Sequence, residues 1–473
     1  MKKICHYIFI IFTCSLFFAS YWALDTYGNF TGDELFFHFL VPLGGISLQS
    51  FSKLATDVFV PGIIIGLPIG FVIIEHIKRK KVYTATLFVI TITYSLYNIH
   101  MFTYIYNQIN TSTFIEENYV EPKEVKIKFP KEKKNLIYIY LESFENTYSD
   151  KKNNGQQEKN LIPYLSKLAN DNTNFSNNNN LGGALSLNGT AWTSAAMVGQ
   201  TSGLPLKINT SSNGIIDLHN FFPNSKTLGE ILEENGYKNY LLLGSDANYG
   251  CRKQYFEQHG DYKLYDLNTA IKEKKMTEEE IVWWGFDDDD LFEYAKEQLI
   301  EISKNKEPFN YSILTVDTHF EDGYLADTCD NKYQDQYSNV LNCADNKIKK
   351  FMRWLEKQNF YEDTVIIITG DHLSMDTDFF KNIETNYIRT VYNVIINSDV
   401  KAIKEKNRQF STLDMFPTTI GALGAEIEGN KLALGTNLYS DEKTIIEEHG
   451  YEYVTKELDK RSTFYNDNIL AYK

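Results

Sequence analysis

The sequence predicts transmembrane helices followed by an α/β domain with a mainly parallel central sheet. Three observations predict this. Apolar runs of about spanning length fill the first 107 residues. Beyond residue 134, strand-like runs rich in Ile, Tyr and Leu alternate with amphipathic stretches, the signature of an α/β domain. Polar clusters follow three of those runs directly, where open α/β sheets place their ligands.

A helix needs about 20 apolar residues to cross a bilayer core. Spans are expected over about 4–24, 58–76 and 82–105. Pro61 and Pro68 fall in the second, which a transmembrane helix tolerates because its neighbours satisfy the freed backbone groups. A cleaved signal peptide would explain the first run alone, but the two later runs hold the chain in the membrane regardless. Lys2 and Lys3 precede the first run, and Lys78, Arg79, Lys80 and Lys81 separate the second from the third. With three spans both basic clusters face one side, which is then the cytoplasm. The expectation is a multi-pass protein of the cytoplasmic membrane, extracytoplasmic from about Asn107 onward. Leu35 to Phe51 is apolar but short and interrupted, and is expected at the outer face near the headgroups. As a fourth span it would move the large domain into the cytoplasm.

The 473 residues carry 62 acidic and 47 basic groups, a net charge of −15. Residues 1–107 hold seven basic and five acidic groups, leaving −17 on the remainder. Such a domain is no nucleic-acid binder, since phosphate-backbone affinity needs clustered Lys and Arg. With 27 glycines and 10 prolines the chain is neither collagenous nor of low complexity.

Residues 108–134 are charged and proline-punctuated and read as a linker. The main domain is expected over 135–440, with a C-terminal extension over 441–473. Strands are expected at Leu136–Tyr140, Tyr240–Leu243, Tyr311–Val316, Thr364–Thr369 and Tyr392–Ile396. Amphipathic helices are expected at Asp290–Ile302 and Asn346–Gln358. The Asn-rich tract from Asn170 to Asn180 reads as a polar loop.

Glu142 follows the first strand, Asp317-Thr318-His319 the third and Asp371-His372 the fourth. Each cluster alone is weak and would more often be a solvated loop. Together they form an oxygen-rich set with imidazole, suited to one divalent metal of the Mn²⁺, Mg²⁺ or Zn²⁺ kind. Residues 181–205 offer a hydroxyl: small residues surround Thr190, Thr193 and Ser194. A metal makes such a hydroxyl nucleophilic by lowering its pKa. A helix beginning near Thr193 would also present N–H groups to an anion. Among the cysteines of the soluble part, Cys329 and Cys343 bracket a polar, loop-like stretch. A bridge there would contribute about 3 kcal/mol in the chain-entropy model. Cys251 is then left over.

The segments IYLESFE, NGTAWTSAAM with SGLPL, TVDTHFEDGY and ITGDHLSM, in that order, resemble the motifs of the alkaline-phosphatase/sulfatase superfamily. The resemblance is nearest to its membrane-anchored phosphoglycerol transferases, and spans about Asn135 to Asn437. It ends near TLDMFPTTIGALG (Thr412 to Gly424). It implies one metal held by Glu142, Thr193, Asp371 and His372, with Mn²⁺ or Mg²⁺ favoured and Zn²⁺ the alternative. It implies Thr193 as nucleophile, with Thr190 its rival, and His319 as the phosphate-binding and proton-transferring histidine. Arg252 matches a headgroup-binding arginine, with Lys253 as the alternative, and Trp192 lies beside the nucleophile. Trp283 and Trp284 would stack on sugar or pack in the core. The implied donor is phosphatidylglycerol in the membrane, and the implied acceptor a periplasmic glucan. Rival readings are a lipoteichoic-acid-type polymerase, a phosphoethanolamine transferase and an inert membrane-tethered sensor. A true sulfatase is disfavoured, because Ser-Ala-Ala-Met follows Thr193 where that class needs a formylglycine motif.

Overall fold

Strand β1, Asn135–Leu141, runs through the middle of the molecule and six of its seven residues are buried. The computed structural model describes residues 2–28, 30–41, 52–208 and 220–471. Around β1 are β2 (Lys238–Leu243), β3 (Lys263–Tyr265), β4 (Phe309–Leu314), β5 (Thr364–Gly370) and β6 (Asn393–Ile396). They form one sheet in the order β3-β2-β4-β1-β5-β6. Neighbours are parallel except β5 and β6. A strand covered on both faces reads as a continuous apolar run, which is why NLIYIYL shows little alternation of polarity. Its faces still separate with the strand period of two. Leu136, Tyr138 and Tyr140 join one core and Ile137, Ile139 and Leu141 the other.

Helices Asp288–Ile302 and Gln336–Leu355 cover the second face through Leu291, Phe292, Ile348 and Phe351. Helix Thr193–Ser202 and helix Met415–Ala422 cover the first. One strand is not expected from the sequence, and one helix begins well before its expected start. Strand β3 is three residues long, too short to show a pattern. The helix expected from Asn346 begins at Gln336, capped by Asp335, whose side chain accepts from Ser338 N; its polar first turns hide it in the sequence.

Residues 108–134 run along the domain: Phe114 and Ile115 are buried, and Ile127–Lys128 pairs antiparallel with Glu426–Ile427. At the other end of the chain, Ile445, Val454 and Leu458 enter the first core. Cys329 and Cys343 are joined, with their Cα atoms 5.5 Å apart, and Cys251 is buried and unpaired.

At the N-terminus, Lys2–Thr26 and Ser52–His76 are long and apolar enough to cross a membrane. The third expected span is bent by 71° between Lys80–Asn98 and Met101–Ile109, where His100 takes a left-handed backbone with φ 54°. The described residues thus hold two apolar helices of spanning length, and a third if the bent pair is one span. Lys3 pairs with Glu75 at 2.8 Å, so both basic clusters lie at one end of the bundle. Gly62, Gly66 and Gly70 face the first helix. A Cβ on them would come within 2.1 Å of Ser15, 2.7 Å of Ile11 and 2.7 Å of Tyr7 respectively. This small-residue stripe lets two membrane helices approach closely.

Between the two apolar helices lies helix Gly32–Leu40, capped by Thr31, whose hydroxyl accepts from Glu34 N. It sits on the α/β domain. Asp33 pairs with Lys207 at 3.7 Å, and the Phe37 ring lies 5.7 Å from Trp192. Residues 42–51, part of the segment expected at the outer face, lie outside the described residues.

Candidate active site

Glu142 stands one residue past β1, and Asp371 and His372 directly follow β5. Because β1 and β5 are parallel and paired in register to Leu141 and Gly370, their carboxyl ends bring these residues together. One potential ligand atom from each of Glu142, Asp371 and His372 lies within 4.8 Å of the others, and all three residues are buried. Asp371 accepts through Oδ1 from Ser143 N at 2.7 Å and from His372 N at 2.6 Å. Its Oδ2 is buried without a hydrogen-bond partner, an orphaned acceptor of the kind a cation would complete. His372 Nδ1 lies 2.8 Å from the Leu373 carbonyl. That contact sets the tautomer and leaves Nε2 to face the cluster. Ser143, whose N–H makes the contact to Asp371 Oδ1, has a left-handed backbone at φ 54°, a strain of the sort found at functional sites.

The donor set fits one divalent cation: two carboxylates, one imidazole and the hydroxyl of Thr193. The Thr193 hydroxyl donates to Glu142 Oε2 at 3.1 Å and lies 3.4 Å from His372 Nε2. Thr193 opens its helix, after Trp192 at the N-cap. Thr190 is placed otherwise. It is buried, and its hydroxyl donates to the Leu187 carbonyl at 2.8 Å.

Charge is balanced locally in the metal-free protein. Burial would raise the Glu142 carboxyl, but its hydrogen bond to His372 and the charges of His319 and His372 hold it at about 2. Burial would lower His372, yet Asp371 and Glu142 raise it to about 10. Burial, with Glu142 nearby, raises Asp371.

The cluster opens into a cavity of about 360 Å³ lined by Thr193, Trp192, Arg252, Trp283, Trp284 and His319 among others. Arg252 is buried; its guanidinium donates to Ser245 Oγ, the Asp246 carbonyl and the Tyr249 carbonyl at 2.9–3.1 Å. Lys253 does not line the cavity. The Trp284 ring lies 5.0 Å from His319, and both Trp283 and Trp284 are half-buried at the cavity wall. The Trp192 Nε1 is buried without a partner. Burial lowers His319, whose Nδ1 lies 2.7 Å from the Phe320 carbonyl.

Sequence reading missed the supports behind these groups. The loop before His319 is pinned by Lys347, which reaches Asp317 at 2.7 Å and Asp289 at 2.9 Å. Asp288 accepts from Val316 N at 2.8 Å on the same loop. Glu34 and His38, on the helix after the first span, also line the cavity. The only sequence signal for Asp317 was its place after a strand; Lys347 and Glu34 carried none.

A mainly parallel α/β sheet with a carboxylate–imidazole cluster and a threonine at its carboxyl edge is the arrangement of the alkaline-phosphatase/sulfatase superfamily, and the cluster is a candidate metal site. The family model described as Sulfatase matches residues 134–425, and the chain belongs to that family. Phosphoglycerol transferase I of Salmonella choleraesuis is 30% identical over 331 residues, 68% of this chain. The Shigella flexneri protein of the same name is also 30% identical. The chain spans 41% of the length of these relatives. Among solved structures, the lipoteichoic acid synthase LtaP of Listeria monocytogenes has a TM-score of 0.53 at 19% identity. That match covers 70% of this chain and 82% of LtaP. The phosphoethanolamine transferase EptA of Neisseria meningitidis has a TM-score of 0.52 at 13% identity, covering 90% of this chain and 84% of EptA. These two likenesses concern the fold.

Proposed function

We propose that this chain transfers phosphoglycerol from phosphatidylglycerol to an extracytoplasmic acceptor, a periplasmic glucan, through a covalent group on Thr193. The observation that carries the reading is the Thr193 hydroxyl held against Glu142 Oε2 at 3.1 Å and beside His372. The cavity there also contains Arg252 and His319. The resemblance to phosphoglycerol transferase I supports the choice of donor.

Glu142, Thr193, Asp371 and His372 would hold the cation, Mn²⁺ or Mg²⁺ before Zn²⁺. A divalent cation there supplies a lowered pKa for the Thr193 hydroxyl and an offset for phosphate charge. In the first step a Thr193 Oγ1–phosphorus bond forms while the bond from phosphorus to the diacylglycerol oxygen breaks. The proton that Thr193 gives up balances the one the departing oxygen takes. His319, whose pKa burial lowers, carries it. Arg252 faces the headgroup, which matters because the charge of −17 beyond residue 107 repels an anionic lipid. In the second step an acceptor hydroxyl forms its bond to phosphorus, the bond to Thr193 Oγ1 breaks, and Thr193 regains its proton.

The three-span topology belongs to this reading. It puts the basic clusters in the cytoplasm and the cavity at the outer face, where donor lipid and glucan meet. Trp283 and Trp284, half-buried at the cavity wall, offer rings to sugar, and Trp192 lines the cavity beside Thr193. Mass spectrometry of lipid and glucan products from the purified full chain tests it. Diacylglycerol with phosphoglycerol-bearing glucan is expected. A polyglycerolphosphate product or use of phosphatidylethanolamine would instead point to the polymerase or the ethanolamine reading.

A further inference from the structure

One wall of the cavity comes from the anchor. Helix Gly32–Leu40 brings Glu34 to the same cavity as Thr193, Glu142, His319 and His372. Glu34 is 3% exposed, and its Oε1 has no hydrogen-bond partner among the described residues. A buried acceptor left unfilled is costly, and folds keep one where something completes it.

The position of Glu34 is firmly set. Its backbone N–H donates to Thr31 Oγ1 at 3.2 Å. Asp33, the preceding residue, accepts from Ile208 N at 3.3 Å and pairs with Lys207. Phe37, one turn on, packs against Trp192, the N-cap of the Thr193 helix. The helix that presents Glu34 is therefore seated on the nucleophile's own helix.

The chemistry of a buried carboxyl group narrows its ligand. Glu34 stands outside the Glu142–Asp371–His372 cluster. Burial raises its carboxyl to about 8, and a hydroxyl, which both donates and accepts, suits that group in either protonation state. Alcohols are the donors that a phosphoglycerol transfer brings to this cavity.

We propose that Glu34 hydrogen-bonds an alcohol of the transfer reaction, so that anchor and catalytic domain share one substrate site. This rests on the phosphoglycerol-transfer reading. The alcohol is either the glycerol end of the donor headgroup or the incoming acceptor hydroxyl, and the two differ in the half-reaction affected.

The test uses full-length protein with phosphatidylglycerol vesicles and Mn²⁺, with glycerol as the acceptor alcohol. It compares wild type, Glu34→Leu and Glu34→Gln. Glu34→Leu is expected either to raise the KM for lipid in Thr193 labelling at least tenfold or to slow decay of the label by glycerol at least tenfold. The first result assigns the headgroup and the second the acceptor. Glu34→Gln, which keeps an acceptor oxygen, is expected to recover most of the loss. A Glu34→Leu protein within twofold of wild type in both half-reactions overturns the proposal. Equal losses in the Leu and Gln variants with a lowered Tm also overturn it, leaving a structural role. If wild type itself is never labelled by phosphatidylglycerol, the donor reading falls and takes this inference with it. Labelled wild type with an unaffected Leu variant sinks this inference alone.

Discussion

The side-chain amide of Gln200 donates to the backbone carbonyl of Asp371 at 3.1 Å. The same nitrogen donates to the Gly370 carbonyl at 3.1 Å, and Oε1 accepts from the Tyr138 hydroxyl at 2.8 Å. One fully buried side chain thus ties the Thr193 helix to the strand end carrying Asp371 and His372, and to the central strand. Gln200→Leu leaves those partners unsatisfied. It should cost about 2–4 kcal/mol of stability and weaken metal binding at the cluster. Denaturant unfolding and metal titration check both; unchanged values in each would contradict the tie.

The two threonines should separate cleanly. Thr190→Ala loses the bond to the Leu187 carbonyl, so about 1 kcal/mol of stability should go while diacylglycerol release per folded molecule persists. Thr193→Ala should keep its Tm and release no diacylglycerol. Parallel thermal melts and lipid assays read this, and the reverse pattern would move the nucleophile to Thr190.

Metal binding should displace protons. Burial opposes the charge on His372, but Asp371 and Glu142 hold it protonated up to about pH 10 in the metal-free protein. A cation needs the neutral ring, so affinity should rise between pH 6 and pH 9. Calorimetry in buffers of different ionisation heats counts the protons released; none released would contradict this assignment. The raised His372 also stabilises the metal-free fold. That contribution is complete below the unfolded value near 6.5 and is lost as pH climbs through about 10. Melts of chelated protein should therefore fall on the alkaline side. Asp371→Asn should weaken metal binding, since it removes a charged oxygen ligand.

Lys347 is buried and bonded to Asp317 and Asp289. Lys347→Met strands the Asp317 carboxylate beside Asp288 and should cost about 3–5 kcal/mol. The loop carrying His319 should loosen with it. Unfolding curves test the first effect and hydrogen exchange over residues 315–319 the second.

Much of the frame was legible because it is local. Strand β1 announces itself as NLIYIYL, and Glu142, Asp371 and His372 each sit directly past a strand end, where parallel sheets gather their chemistry. The supports were not legible, because they join distant segments. Gln200 lies 171 residues from Asp371, and Lys347 lies 30 from Asp317. No periodicity connects Glu34 to a cavity built mainly from residues beyond 140. The Gly62, Gly66 and Gly70 stripe was written in the sequence at every fourth position, yet hydropathy alone records only an apolar run. The bend at His100 leaves no proline to mark it.

The central claim is a covalent phosphoglycerol on Thr193. The most direct measurement is peptide mass spectrometry of full-length protein, quenched after incubation with phosphatidylglycerol vesicles and Mn²⁺. The account predicts the mass of one phosphoglycerol group on the peptide carrying Thr193, absent in Thr193→Ala together with diacylglycerol release. A Thr193→Ala protein that still releases diacylglycerol at the wild-type rate would contradict it.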